Sequence, residues 1–139
     1  MPTARDIMTP HAECVNSDES LAVAAEKMAR LDVGALPICG PDNRLKGMLT
    51  DRDIVIKALA KGKDPKSCTA GEFAQGKPVT IGADDDAREI LRTMASHKVR
   101  RLPVIDGHDL VGMVALADVT KTMPDAPISD LLDALTHDD

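Results

Sequence analysis

The sequence predicts an α/β fold, α+β in some schemes, built from two β-α-β-β-α units that pack as one module about a pseudo-two-fold axis. Three observations carry the prediction. The chain repeats itself along most of its length, apolar residues in each copy switch between strand and helix spacing, and 139 residues with 43% apolar content suffice for one shared core. At roughly this size a folded chain hides about two-thirds of the surface its unfolded form exposes, so no metal or dense disulfide framework is required.

A shift of 66 residues lays Asp18 on Asp84, Met28 on Met94, Ala29 on Ala95, Val33 on Val99, Leu36 on Leu102 and Pro37 on Pro103. After a one-residue deletion the shift becomes 65 and lays Leu45 on Leu110, Gly47 on Gly112, Met48 on Met113 and Asp53 on Asp118. The copies divide the chain into residues 1–66, the first repeat with an N-terminal segment, residues 67–124, the second repeat, and residues 125–139, a C-terminal tail.

In the first copy, residues 12–15 read as a short strand, and the polar run Asn16, Ser17, Asp18, Glu19, Ser20 offers oxygens for a helix N-cap. Apolar residues then fall at 21, 24, 25, 28 and 31, the spacing of a helix with one buried face. Residues 35–39 read as a strand, 40–43 as a turn, 45–50 as the returning strand of a hairpin, and 51–61 as a helix closed by Gly62. The second copy repeats the plan with strand 78–81, helix 86–97, strand 101–105, turn 106–108, strand 109–114 and helix 116–123. A crossover connection places the first strand of each unit beside and parallel to the second, with the hairpin partner antiparallel. One such three-stranded sheet leaves a face uncovered, and two copies packed together cover it.

Composition narrows the function. There is no Trp, no Tyr and one Phe, Phe73, so the core is aliphatic and almost nothing is available for stacking on unpaired bases. The net charge of −6 repels phosphate backbones and anionic membranes, so neither nucleic acid nor membrane is an expected partner. No apolar stretch approaches a membrane span, and residues 1–9 lack the charged start and apolar middle of a signal peptide, which makes the cytoplasm the expected location. Three cysteines and four scattered histidines match no metal-ligand spacing, so no metal site is expected. Nor is there a Ser/His/Asp or Cys/His set at interpretable spacing, or a GxxxxGKS or GxGxxG loop, and an enzyme is not expected.

Leu36-Pro37 followed by Gly47-Met48-Leu49-Thr50-Asp51-Arg52-Asp53, and Leu102-Pro103 followed by Gly112-Met113-Val114-Ala115-Leu116-Ala117-Asp118, resemble the CBS domain, named after cystathionine β-synthase. Together with Ala4-Arg5-Asp6-Ile7-Met8, the chain is similar to stand-alone actinobacterial CBS-pair proteins. The resemblance implies a tandem module that is often a homodimer. It implies clefts for adenosine-containing ligands such as AMP, ADP, ATP or S-adenosylmethionine, and a regulatory signal to an unknown protein partner, here in a stress response.

Carried onto this sequence, the ligand residues are Thr50, Asp53, Met48, Arg52, Leu36, Pro37 and Ala35 in the first repeat. In the second they are Thr80, Arg100, Arg101, Pro103, Met113 and Asp118. Thr50 ends a strand where a helix begins, Asp53 lies one turn on and can accept from a ribose diol, Met48 and its apolar neighbours can sandwich an adenine, and Arg52 suits phosphate. The same Thr50-x-x-Asp53 spacing is that of a helix capping box, and the two roles can coexist. The second repeat has Ala115 in place of Thr50, with Arg100 and Arg101 where the first has Gly34 and Ala35, so the two sites are expected to be unequal.

Cys14 and Cys39 fall on strands that the crossover makes neighbours, and the resembled proteins carry cysteines in the same contexts; a disulfide and two reduced, buried thiols are both open readings. A disulfide would point to redox sensing or to a life outside the cell, and a redox-responsive or purely structural homodimer is the alternative function. Cys68, in the polar linker, is expected to stay free. Apolar residues at 128, 131, 132 and 135 give the tail a helical stripe for docking on the module or on a dimer partner.

Overall fold

The computed structural model describes residues 1–74 and 76–123, so the expected tail helix lies outside the described residues. In chain order the elements are α1 (Ala4–Ile7), β1 (Thr9–Pro10), β2 (Val15–Asn16), α2 (Leu21–Leu31), β3 (Ala35–Cys39), β4 (Leu45–Thr50) and α3 (Asp51–Asp53). The second copy supplies β5 (Ile81–Gly82), α4 (Ala87–His97), β6 (Arg101–Asp106), β7 (Asp109–Ala115) and α5 (Leu116–Thr122).

The chain forms two compact units, Glu13–Pro78 and a second that joins Met1–Ala12 to the described residues from Val79. In the first, β2 pairs parallel with β3 (Val15 opposite Ile38) and β3 pairs antiparallel with β4 (Leu36 opposite Leu49). In the second, β5 pairs parallel with β6 (Ile81 opposite Val104) and β6 antiparallel with β7 (Leu102 opposite Val114). Both hairpins carry their irregularity at the same repeat position, after Ile38 and after Val104.

Helix starts follow from side-chain chemistry. Ser20 Oγ accepts the Val23 amide at 3.2 Å and Asp86 Oδ1 the Glu89 amide at 3.0 Å, each satisfying a donor that the first turn leaves unpaired. Both helices end on a left-handed residue, Asp32 (φ 55°) and Lys98 (φ 59°). Leu21, Ala24 and Met28 of α2 are buried with Val15, Leu36, Ile38 and Leu49; α4 buries Ala87, Ile90, Leu91 and Met94 against Leu102, Val104 and Val114. Each fully buried Leu, Ile or Met is worth about 1.5–3 kcal/mol. Ala25 and Leu31, expected on the buried stripe of α2, are exposed, because the turn at Asp32 ends the helix beside Leu31 and Ala25 lies off the core-facing line.

The expected helix over 51–61 starts with α3, widens to a π-helical turn over Ile54–Ala58, tightens to a 3₁₀ turn over Leu59–Lys61, and closes at Gly62 with φ 75°. The first strands are shorter than expected and sit later in the chain, at Val15–Asn16 and Ile81–Gly82 in place of 12–15 and 78–81.

The N-terminal segment, expected with the first repeat, belongs to the unit built on the second. Its backbone is the reason: the Ala4 amide donates to the Asp85 carbonyl at 2.8 Å, the Arg5 amide to Ala83 at 2.9 Å, and the Ala87 amide to Pro2 at 3.0 Å. Sixty-six residues on, the same three bonds recur in the other unit, from Ala70 to Glu19 (2.8 Å), Gly71 to Ser17 (2.8 Å) and Leu21 to Cys68 (3.0 Å). Residues 67–78, expected to open the second repeat, therefore complete the core of the first, where Cys68, Ala70 and Phe73 are buried. The strand β1 adds a fourth strand to the second sheet, Thr9 opposite Met113 and Pro10 opposite Gly112. Close approach explains the aligned glycines: a Cβ on Gly112 would stand 2.6 Å from the Thr9 carbonyl oxygen, and one on Gly47 3.1 Å from the Cα of Ala74.

Candidate ligand-binding site

Thr50 ends β4 in extended conformation (φ −112°, ψ 159°), and the chain turns directly into α3. The Thr50 amide donates to Asp53 Oδ2 at 3.0 Å, and the Asp53 amide donates to Thr50 Oγ1 at 3.0 Å. This is the reciprocal capping box anticipated from the spacing. The other carboxylate oxygen, Oδ1, lies 3.1 Å from Nζ of Lys57, one turn further along; the side chains are 19% and 50% exposed respectively. Sequence reasoning missed Lys57, although its i,i+4 spacing from Asp53 is the signal for such a pair. Arg52 is exposed and its guanidinium makes no ion pair among the described residues; its amide donates to Asp51 Oδ1 at 2.8 Å.

Strand alternation decides which neighbours share a sheet face with Thr50. Ala35 stands opposite Thr50 and Pro37 opposite Met48, so these four lie on one face. Leu36 is 2% exposed and packs with Val15, Ile38 and Leu49 on the other, helix-covered face. Side chains one residue apart in a strand point oppositely, so the Leu36 side chain faces away from the one shared by Ala35, Pro37, Met48 and Thr50. Pro37 is fully buried and Met48 half-buried.

The second repeat builds a weaker version. Asp118 Oδ2 accepts the Ala115 amide at 3.3 Å, and Ala115 has no hydroxyl to return the bond. Arg101 stands opposite Ala115 and Pro103 opposite Met113, repeating the pairs of the first copy. Arg100 and Arg101 are exposed, and the Arg100 carbonyl accepts the Leu116 amide at 2.8 Å as Gly34 accepts that of Asp51 at 2.9 Å. Thr80 is half-buried immediately before β5.

A shift of 66 lays Thr80 on Cys14, a correspondence that sequence reasoning left unused. Cys14 and Cys39 are joined, with Cα atoms 5.8 Å apart. Cys39 lies two residues beyond Pro37 on β3, so the bond borders the strand that carries the first site. Lys27 ties this corner to α2, its Nζ 3.0 Å from the Cys14 carbonyl and 3.1 Å from Glu19 Oε1. Glu19 also accepts the Asn16 amide at 2.8 Å; that bond first, and then Lys27, hold its carboxyl below the usual range. Cys68 is free, as expected, and buried.

Two β-α-β-β-α units, each with an acid one turn into the helix that leaves its hairpin, define a tandem CBS pair. The CBS domain family matches residues 4–59 and 70–125, and the chain belongs to that family. Hypoxic response protein 1 of Mycobacterium tuberculosis is 50% identical over 135 residues, covering 97% of this chain and 94% of that protein. The CBS domain-containing protein YhcV of Bacillus subtilis is 35% identical over 119 residues, covering 86% of this chain and 84% of that one.

Among solved structures, Hypoxic Response Protein I with two coordinated zinc ions superposes with a TM-score of 0.81 at 52% identity, over 86% of this chain and 98% of that one. CBSX2 in complex with AMP gives 0.76 at 23% identity, over 89% and 97%, a likeness of fold alone. Among the described residues no three His, Cys, Asp or Glu side chains converge on one point. No helix among the described residues is long and apolar enough to cross a membrane.

Proposed function

We propose that this chain is a non-enzymatic regulatory CBS-pair module that binds adenosine-containing ligands, AMP, ADP, ATP or S-adenosylmethionine, and passes a conformational change to a protein partner in a stress response in the cytoplasm. The observation that carries the reading is the Thr50–Asp53 pair at the end of β4, with Ala35, Pro37 and Met48 on the same sheet face. A carboxylate there accepts from a ribose diol, and the half-buried Met48 and Ala35, seated on the buried Pro37, supply apolar contact for a purine in a chain without Trp or Tyr. Signalling requires that the ligand favour one of two arrangements of the module. CBSX2, which shares the fold, was solved with AMP; the ligand reading for this chain rests on its own residues. A homodimer accords with Val55, Ile56 and Leu59, which are 52%, 44% and 51% exposed on the helix that follows β4.

Native mass spectrometry of ligand-stripped protein, with AMP, ADP, ATP and S-adenosylmethionine added in turn, tests this. Adducts of defined stoichiometry with at least one of them are expected, and their absence for all four refutes it.

The Cys14–Cys39 bond supports a second reading, a redox-responsive dimer that needs no ligand. Its distinguishing result is a dimer whose stability changes on reduction in the absence of any nucleotide.

A further inference from the structure

We propose that Lys57 determines specificity at the first-repeat site, selecting phosphorylated, anionic adenosine ligands over neutral or cationic ones; this rests on the ligand reading above. In the free protein both oxygens of Asp53 are engaged, Oδ2 by the Thr50 amide at 3.0 Å and Oδ1 by the Lys57 ammonium at 3.1 Å. The two donors are unequal. The Thr50 amide is fixed by the strand and by the return bond from Asp53, whereas Lys57 ends a flexible stem on a side chain 50% exposed. A ribose diol that takes an oxygen of Asp53 therefore displaces Lys57, because an exposed ion pair is weak and moving its ammonium disturbs no core residue.

The displaced ammonium remains tethered one helical turn from Asp53, within a side chain's length of whatever the carboxylate holds. It has given up an anionic partner. A phosphate on the ligand replaces that partner, an uncharged nucleoside does not, and a sulfonium adds a like charge. The device belongs to the first repeat alone. A shift of 65 lays Lys57 on Thr122, whose hydroxyl donates to the Val119 carbonyl at 2.9 Å, so the i,i+4 lysine is not repeated at Asp118, and Lys121, three residues on, makes no ion pair with it among the described residues.

Calorimetric titration of AMP, adenosine and S-adenosylmethionine into ligand-stripped wild type, Lys57→Gln and Lys57→Arg tests the assignment. Wild type favours AMP over adenosine, Lys57→Gln loses about tenfold in AMP affinity, the scale of one charge-assisted bond, with no loss for adenosine, and Lys57→Arg keeps the preference. A merely structural role lowers all ligands together, so an unchanged ratio of AMP to adenosine affinity in Lys57→Gln overturns the proposal for Lys57 while leaving the ligand reading intact. A wild type that binds none of the three overturns both.

Discussion

Asp53 and Thr50 hold each other by two reciprocal hydrogen bonds of 3.0 Å, so the pair that a ligand would use is already organised as a helix cap. The same two groups thus contribute to the fold and to the candidate site. Removing either has a stability cost that any binding experiment must separate from a loss of contacts. At the matching place in the second repeat Ala115 leaves the bond one-way, at 3.3 Å.

That difference makes Ala115→Thr a test of the cap itself. Ala115 already has extended backbone (φ −107°, ψ 152°), so a threonine hydroxyl can accept the Asp118 amide without rearrangement. The variant should be more stable by about 0.5–1 kcal/mol, measured as a shift in the urea midpoint with unchanged slope. A loss of stability would mean that the second junction is not built like the first.

The Cys14–Cys39 bond closes a loop of 25 residues separation. Constraining the unfolded chain by that much is worth about 3 kcal/mol, so Cys14→Ser should lower stability by a value of that order under non-reducing conditions. The same substitution should have little further effect in reductant. Thiol counting on denatured protein should find one free thiol before reduction, from Cys68, and three after. Three before reduction would remove the disulfide.

Glu19 gives a pH dependence with a definite sign. Its carboxyl is depressed by the Asn16 amide and by Lys27, so it stabilises the folded state above its unfolded pKa, and that contribution disappears as pH falls through its lower folded value. Glu19→Gln should therefore destabilise at neutral pH, with the difference from wild type shrinking on acidification. Denaturation at a series of pH values would show it, and a pH-independent difference would place the effect elsewhere than in the charge.

Gly112→Ala tests the exchange of segments between repeats. The added methyl meets the Thr9 carbonyl oxygen at 2.6 Å, so β1 must move from β7 or the sheet must distort. A loss of about 1–3 kcal/mol, the usual cost of overpacking, is expected, with faster amide exchange in residues 4–10 and 112–113. Unaltered exchange there would contradict the placement of β1.

Much of the fold is legible in the sequence because two copies constrain each other. Leu36-Pro37 and Leu102-Pro103, the aligned glycines and the helical spacing from Leu21 locate both hairpins and both long helices. The segment exchange is not legible from periodicity, since β1 is two residues long and one of them is Pro10. Its trace was still present: the 66-residue shift that aligns the repeats also lays Thr3-Ala4 on Thr69-Ala70, and each threonine faces an acid three residues on, Asp6 and Glu72. At the candidate site, spacing made the Thr50–Asp53 capping pair legible but not the face that Leu36 takes, because a motif is contiguous in sequence while a strand sends alternate residues to opposite faces. Lys57 was passed over as a site residue because its pairing with Asp53 rests on i,i+4 spacing along a helix and shows only in the carboxylate oxygen it occupies.

The most direct test of the central claim is a calorimetric titration of AMP into ligand-stripped wild type and Asp53→Ala, run at a temperature where both are folded. Saturable binding to wild type is predicted, weakened by about tenfold or more in the variant, the scale of a lost hydrogen bond to a charged group. Equal affinities in the two proteins, with the variant's fold intact, would contradict the assignment of the site to the Thr50–Asp53 junction.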